Sequence, residues 1–392
     1  MQSLAKSRSS LAAPKEDSRR VKTLRAIGTN GLLIAASIGI GYVLSNLAFL
    51  VLIRHGNQAN GMSRSLLSHL PAPIRWSYPT LGTTRTNQDI ALIGDSYVEG
   101  AGDAYRNGEH NYSIGHVLHS QSKLPLTSFG TNGTTFISQK QLYSHSLNGA
   151  FWPLKDGRKQ AHWPGKSLVF IYEGNDFDNH IQEKTSGGAQ AHIDALKSSR
   201  RFQPLRLFLT SKLRPMPSQA PSKPTNAKET KTTINRVCGS NYCKELQPMQ
   251  AASPTLSEQE LKDSIHEMAD SIATLQSDLK TNTCVVYIPS PGTIYSPDEL
   301  IFQQDQLPPG TPTSGTISGK VNSQRSSSIR DALSSALKKH QIHMIDATPA
   351  LTAAAEKQFL HGIIDQKHFN HQGNAVLAKT ILDDFSRCFP NP

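Results

Sequence analysis

Short apolar runs separated by helical periods set out this chain from residue 89 onward. Ile90-Ala91-Leu92-Ile93 is one such run, and others at 124–129, 166–172, 284–289 and 342–346 have the length of buried strands, the first spanning 89–94. Between the third and fourth, Ser257-x-x-Glu260 reads as a capping box. Behind it Leu261, Ile265, Met268, Ile272 and Leu275 repeat at spacings of four and three, which predicts a helix. A second helix is expected over 326–339, and Asn370 is placed to cap a last one through 385. Strands alternating with helices imply a parallel sheet with its site at the carboxyl ends of the strands. Two long stretches break the pattern, about 177–256 and about 290–322, and both leave from that same edge. The expectation is that 176–208 covers the site as a lid and 215–229 is a mobile tether, a spacer without substrate contact being the alternative.

The first part of the chain is organised differently. No charged residue occurs from 26 to 53, enough apolar length for a helix across a hydrocarbon core of about 30 Å. Lys6, Arg8, Lys15, Arg19, Arg20, Lys22 and Arg25 precede it against only Glu16 and Asp17. This predicts a single-pass anchor with a cytoplasmic basic tail over 1–25 and everything after the span exported. A cleaved signal peptide is the rival, but its apolar core would be shorter, and Leu52-Ile53-Arg54-His55 is no small-x-small site. Residues 54–88, with Pro71, Pro73 and Pro79, read as a stalk, leaving 89–392 as the main domain. The expected location is a bacterial inner membrane, the domain facing the periplasm.

Charge and cysteine content refine that picture. Part of the net charge of +11 over 392 residues belongs to the tail. Arg200, Arg201, Arg206, Lys212 and Arg214 form the densest cluster beyond it, which reads as a solvated face or a contact for membrane or an acidic polymer. Basic residues are not interleaved with aromatics on one element, so nucleic acid is not an expected partner. Four cysteines suit an oxidising compartment. Cys284 opens a strand and Cys388 closes the last helix, and helix ends lie beside strand beginnings in a parallel layer. This predicts Cys284–Cys388 as a staple on the face opposite the site and Cys238–Cys243 as a local loop. No second close cysteine pair or matching histidine spacing suggests zinc. His361, His368 and His371 cluster, but a reacting histidine with loop neighbours accounts for them.

The chemistry lies at the strand ends. Gly94-Asp95-Ser96-Tyr97 follows the first strand, Gly130-Thr-Asn-Gly133 the second and Gly174-Asn175-Asp176 the third, while Asp365-Gln-Lys-His368 stands before the last helix. A serine hydroxyl becomes a nucleophile when an imidazole takes its proton, and the imidazole needs an acceptor to fix its tautomer. Ser96, His368 and Asp365 fit those roles. The backbone N–H of Ser96, that of Gly133 and the side-chain amide of Asn175 are candidate oxyanion donors, each worth roughly 3 kcal/mol of barrier. Gly130 shares the Gly133 loop, and the spacing from the strand favours Gly133. Singly, each block is an ordinary turn or cap; it is their order along the chain that points to an enzyme.

With blocks reading GDSYVEG, FGTNGTT, YEGND and DQKHFN, the chain resembles the SGNH hydrolases, also called the GDSL family, over roughly 89–392 apart from the long insertion. The resemblance implies a flavodoxin-like three-layer α/β/α sandwich with a central parallel sheet, here preceded by one transmembrane helix. It also implies ester hydrolysis or acyl transfer, with Ser96 as nucleophile, Gly133 and Asn175 as oxyanion donors, and Asp365 and His368 completing the triad. No cofactor or metal is required, and Asp95 and Asp176 have simpler roles as acceptors that hold loops. The leading expectation is an esterase removing acetyl or similar groups from an exported glycan. An O-acyltransferase that passes the acyl group to a sugar, with a membrane acyl-donor or polysaccharide-export partner, is the close alternative. Lipase or thioesterase activity, or a silent glycan-binding assembly subunit, are the others.

Overall fold

The computed structural model describes Leu33 and residues 36–45, 90–103, 113–128, 130, 165–186, 235–303 and 314–390. The chain divides into two units, Met1–Leu50 and Val51–Pro392. In the first, Leu33 and residues 36–45 are helical with exposed side chains, Ile38, Ile40 and Leu44 among them. Among the described residues no helix is long and apolar enough to cross a membrane. The rest of the expected span over 26–53, the tail 1–25 and the stalk 54–88 lie outside the described residues, as do the Arg200 to Arg214 cluster and the tether 215–229.

The second unit contains strands β1 (Ile90–Ile93), β2 (Leu126–Ser128), β3 (Lys166–Tyr172), β4 (Asn235–Cys238), β5 (Cys243–Leu246), β6 (Asn282–Ile288), β7 (Glu299–Gln303), β8 (Ser314–Ser318) and β9 (His343–Asp346). Its helices are α1 (Ser96–Glu99), α2 (Ile114–Ser122), α3 (Asp176–Ser186), α4 (Glu258–Leu279), α5 (Pro291–Tyr295), α6 (Gly319–Lys339), α7 (Thr348–Ala355), α8 (His371–Asp383) and α9 (Phe385–Cys388). Five strands pair in the order β2-β1-β3-β6-β9, all parallel. Ranked along the chain, that is the 2-1-3-4-5 order of flavodoxin-like doubly wound sheets.

Side chains alternate across a strand. Ala91, Ile93, Val169, Ile171, Val285 and Tyr287 therefore pack to one side with α3, α4 and α6. Ile90, Leu92, Leu168, Phe170, Val286 and Ile288 pack to the other with α2, α7 and α8. A sheet covered on both faces has no polar face to show, which is why these strands read as continuous apolar runs.

The capping box at α4 forms in both directions, Ser257 accepting from Glu260 N–H while the Glu260 side chain accepts from Ser257 N–H. Asn370 caps α8 through Gly373 N–H, and that helix ends at Asp383 with α9 following as a separate turn. Helix α6 starts at Gly319 rather than 326. Its polar first turns are held by tertiary bonds instead of apolar period: buried Asn322 accepts from Ala252 N–H at 2.9 Å and donates to Thr293 Oγ1 at 3.2 Å. Both expected disulfides, Cys284–Cys388 and Cys238–Cys243, are formed.

The two aperiodic stretches are more built than expected. Residues 176–186, expected to begin a lid, form α3, whose Phe177 lies in the core against α4. The later part of the same stretch forms the antiparallel hairpin β4–β5, and 290–322 holds α5 and the antiparallel pair β7–β8. The Asn235 side chain joins the two hairpins, accepting from Ile301 N–H and donating to Ile301 O, each at 2.8 Å. Val237, Leu246, Met249, Leu300 and Phe302 form a small core between them.

Candidate active site

β1 and β3 are neighbours, yet the chain leaves β1 toward β2 on one side and enters β3 on the other. A crevice opens at such a switch point, outside the carboxyl ends of the strands. The loops after β1 and β3 supply Ser96 and Asn175. After β1, Asp95 caps α1, accepting from Tyr97 N–H at 3.0 Å, and Ser96 becomes the first helical residue. Its N–H belongs to the first turn, which has no carbonyl one turn back to bind. After β3, Asp176 Oδ2 accepts from Tyr172 N–H at 2.8 Å and closes the Glu173-Gly174-Asn175 turn. Asp95 and Asp176 thus act as the loop-holding acceptors expected of them.

The loop before α8 brings Asp365 and His368 to Ser96. His368 Nε2 stands 2.8 Å from Ser96 Oγ, and Asp365 Oδ1 stands 3.0 Å from His368 Nδ1. The second approach is close in distance, but its angle falls short of a hydrogen bond, and Nδ1 is buried without another partner. Such contacts are often loose before substrate arrives. Ser96 Oγ has a second acceptor in Asp95 Oδ2 at 3.2 Å, longer than its contact with the imidazole.

Tyr97 ties the two loops together. Its hydroxyl donates to Lys367 O, and its ring lies 5.2 Å from those of His368 and Phe369 and 4.5 Å from that of Tyr172. Gly362 N–H donates to His368 O at 3.0 Å, and the Asn370 amide donates to Phe359 O and His361 O.

Burial governs the ionisation of the neighbouring groups. Asp176 is pushed well above the usual carboxylate range, first by burial and then by the charge of Asp95. Burial also raises Asp95, opposed by the Tyr97 N–H and by His368. Of these two carboxyls Asp176 is the more strongly raised. Glu173 is raised to about 6 by burial, although Ser290 N–H and Thr293 Oγ1 donate to it at 2.9 and 3.0 Å. His361 is pushed down to about 3 by burial, its Nδ1 lying 2.8 Å from the Tyr295 hydroxyl.

Four of the five expected site residues are described, and Ser96, Asp365 and His368 come together. Asn175 follows β3 half-buried, its Oδ1 buried without a hydrogen-bond partner. Gly133 lies outside the described residues. Gly130 is described and buried, and close approach explains it: a Cβ there would stand 2.0 Å from Glu99 N. Sequence reasoning missed Tyr97 and Glu173 as loop-holding groups. Their only signal was membership of the blocks, since their partners, Lys367 and Ser290, are more than a hundred residues away. Among the described residues no group of three or more histidines, cysteines and carboxylates is placed to hold a metal ion.

No protein-family model and no curated protein matches the sequence. Among solved structures the chain is similar to a member of the lipolytic protein G-D-S-L family from Veillonella parvula, at 13% identity and TM-score 0.34, covering 76% of this chain and 98% of that one. It is similar to a lipase/acylhydrolase from Enterococcus faecalis at 12% identity and TM-score 0.35, covering 78% and 99%. A catalytic mutant of an acetylxylan esterase from Geobacillus stearothermophilus gives 10% identity and TM-score 0.35, covering 79% and 97%. Likenesses this loose assign no role to any residue, and the chemistry of the site rests on its own distances.

Proposed function

We propose that this chain is a serine-dependent carboxylic ester hydrolase of SGNH type, and the observation that carries the reading is the 2.8 Å contact between Ser96 Oγ and His368 Nε2 with Asp365 at 3.0 Å on the far nitrogen. In this reading His368 takes the Ser96 proton as Oγ attacks the ester carbonyl, and Asp365 balances the imidazolium. The oxyanion is met by the N–H groups of Ser96 and Gly133 and the amide of Asn175. His368 then protonates the leaving alcohol, and water attacks the acyl-serine with His368 again as base. The substrate class we propose is an O-acyl, chiefly O-acetyl, ester of an exported glycan. Support for the setting is the uncharged stretch 26–53 behind a basic tail, which would hold the domain outside a bacterial inner membrane.

The test is hydrolysis of p-nitrophenyl acetate by the full chain, with and without an oligosaccharide acceptor. Ser96→Ala and His368→Ala should each lower kcat by about four to six orders of magnitude. Acetyl appearing on the acceptor at the expense of free acetate would make the protein an O-acyltransferase using the same acyl-serine. Turnover that survives Ser96→Ala would refute the reading, and loss of turnover with cellular function retained would favour a binding or assembly subunit.

A further inference from the structure

The loop that carries the nucleophile and the loop that carries Asp365 and His368 meet at a residue outside the four sequence blocks. After α1 the chain turns on Gly100 and Gly102, both at positive φ (89° and 142°), and brings Asp103 against residues 363–365. There Asp103 Oδ2 accepts from Ile363 N–H at 2.6 Å and Ile364 N–H at 3.0 Å, while Oδ1 accepts from Asp365 N–H at 2.6 Å. Successive N–H groups converging on one anion make a nest, and here the anion is a side chain of the same protein. The fit is close: a Cβ on Gly362 would stand 2.8 Å from the Asp103 carboxylate, and one on Gly102 would stand 3.4 Å from His368 Cβ. The Tyr97 ring packs on the far end of this loop at His368 and Phe369, but Ile363 and Ile364 are 74% and 70% exposed and do not anchor the near end. Residues 363–365 are held by their backbone bonds, and three of these end on Asp103.

We propose that Asp103 is a positioning residue for the acid–base pair, fixing the backbone of Asp365 so that its carboxylate faces His368 Nδ1 while the other end of the same short segment carries Ser96. This rests on the Ser96–His368–Asp365 reading above. Asp103 touches neither substrate nor the reacting atoms in this scheme; it joins nucleophile and base, 272 residues apart in sequence, into one frame.

The test is Asp103→Ala in the full chain, assayed on p-nitrophenyl acetate beside wild type and Ser96→Ala. A misplacement of the order of 1 Å costs about a hundredfold, so kcat should fall between about tenfold and a hundredfold with KM held within about twofold. Alanine keeps the Cβ and leaves room for one formate, whose carboxylate can take the three N–H groups. Formate should therefore restore several-fold of the lost kcat where chloride at equal ionic strength does not. Ser96-dependent turnover with unchanged kcat in Asp103→Ala, or a loss that chloride repairs as well as formate, overturns this proposal alone. Wild-type turnover independent of Ser96 overturns the triad reading and this proposal with it. Should Asp103→Ala fail to fold, Asp103→Asn keeps the side-chain volume and leaves one acceptor oxygen for the three N–H groups. There a fall in kcat at constant KM supports the assignment, and an unchanged kcat refutes it.

Discussion

Two buried residues beside the loops that carry Ser96, Asn175 and His368 titrate in opposite senses. Glu173 is raised from 4.5 to about 6 by burial, against donation from Ser290 N–H and Thr293 and the charge of Arg330. The folded state keeps its proton to higher pH than the unfolded chain, so the stability it contributes is full below pH 4.5 and lost as pH rises through 6. His361 is lowered from 6.5 to about 3 by burial, and it faces His368 and Asp365. Its contribution is full above pH 6.5 and is lost as pH falls toward 3, at up to about 1.4 kcal/mol per unit. Between 6 and 4.5 the two nearly cancel: the folded state gains a proton at Glu173 while the unfolded chain gains one at His361. Glu173→Gln removes one side of that balance. Its stability relative to wild type should change by about 2 kcal/mol between pH 4 and pH 7, wild type losing ground as the pH rises, read from urea midpoints at each pH. A gap that stays constant across that range would mean that Glu173 titrates as it does in the unfolded chain.

Elements were legible where a local pattern decides them and illegible where distant partners do. The helix 258–279 could be read because its cap and its apolar stripe are both local, and Ser257→Ala should cost about 1 kcal/mol of unfolding free energy with kcat unchanged. A loss under a few tenths would show the box to be idle. The five central strands could be read because burial on both faces leaves apolar runs, and the site blocks followed from their ends. The hairpins could not. β4 and β5 are four residues each, and β7 (ELIFQ) and β8 (SGTIS) show no apolar alternation in sequence; they become strands only when Asn235 meets Ile301 and Met249 meets Phe302. The early start of α6 has the same cause, a buried Asn322 whose partners come from elsewhere in the fold. Asp103 escaped notice for that reason too: in sequence it is one acid in a glycine-rich loop, and its role is visible only beside residues 363–365.

At the scale of the molecule, a parallel sheet separates the end that holds Ser96 from the end that is stapled. Ser96 and Asn175 follow the carboxyl ends of β1 and β3, whereas Cys284 lies at the start of β6 and is bonded to Cys388 at the end of α9. That bond spans 104 residues, including β9, α8 and the loop that carries Asp365 and His368, while Cys238–Cys243 spans 5. If a disulfide acts mainly by restricting the unfolded chain, the long loop is worth about 4.7 kcal/mol and the short one about 2 kcal/mol. Cys284 and Cys388 are also buried, so their removal loses packing as well, whereas Cys238 and Cys243 are exposed. Replacing both cysteines of each pair by alanine and following urea unfolding should thus give the larger loss for Cys284/Cys388. At a temperature where that variant is still folded, kcat should match wild type, because the staple and the site sit at opposite ends of the strands. Equal losses for the two pairs would argue against loop closure as the source of the stability. A lower kcat in fully folded Cys284→Ala/Cys388→Ala would mean that strain at the stapled end reaches Ser96 through the sheet, and the two ends would then be one mechanical unit.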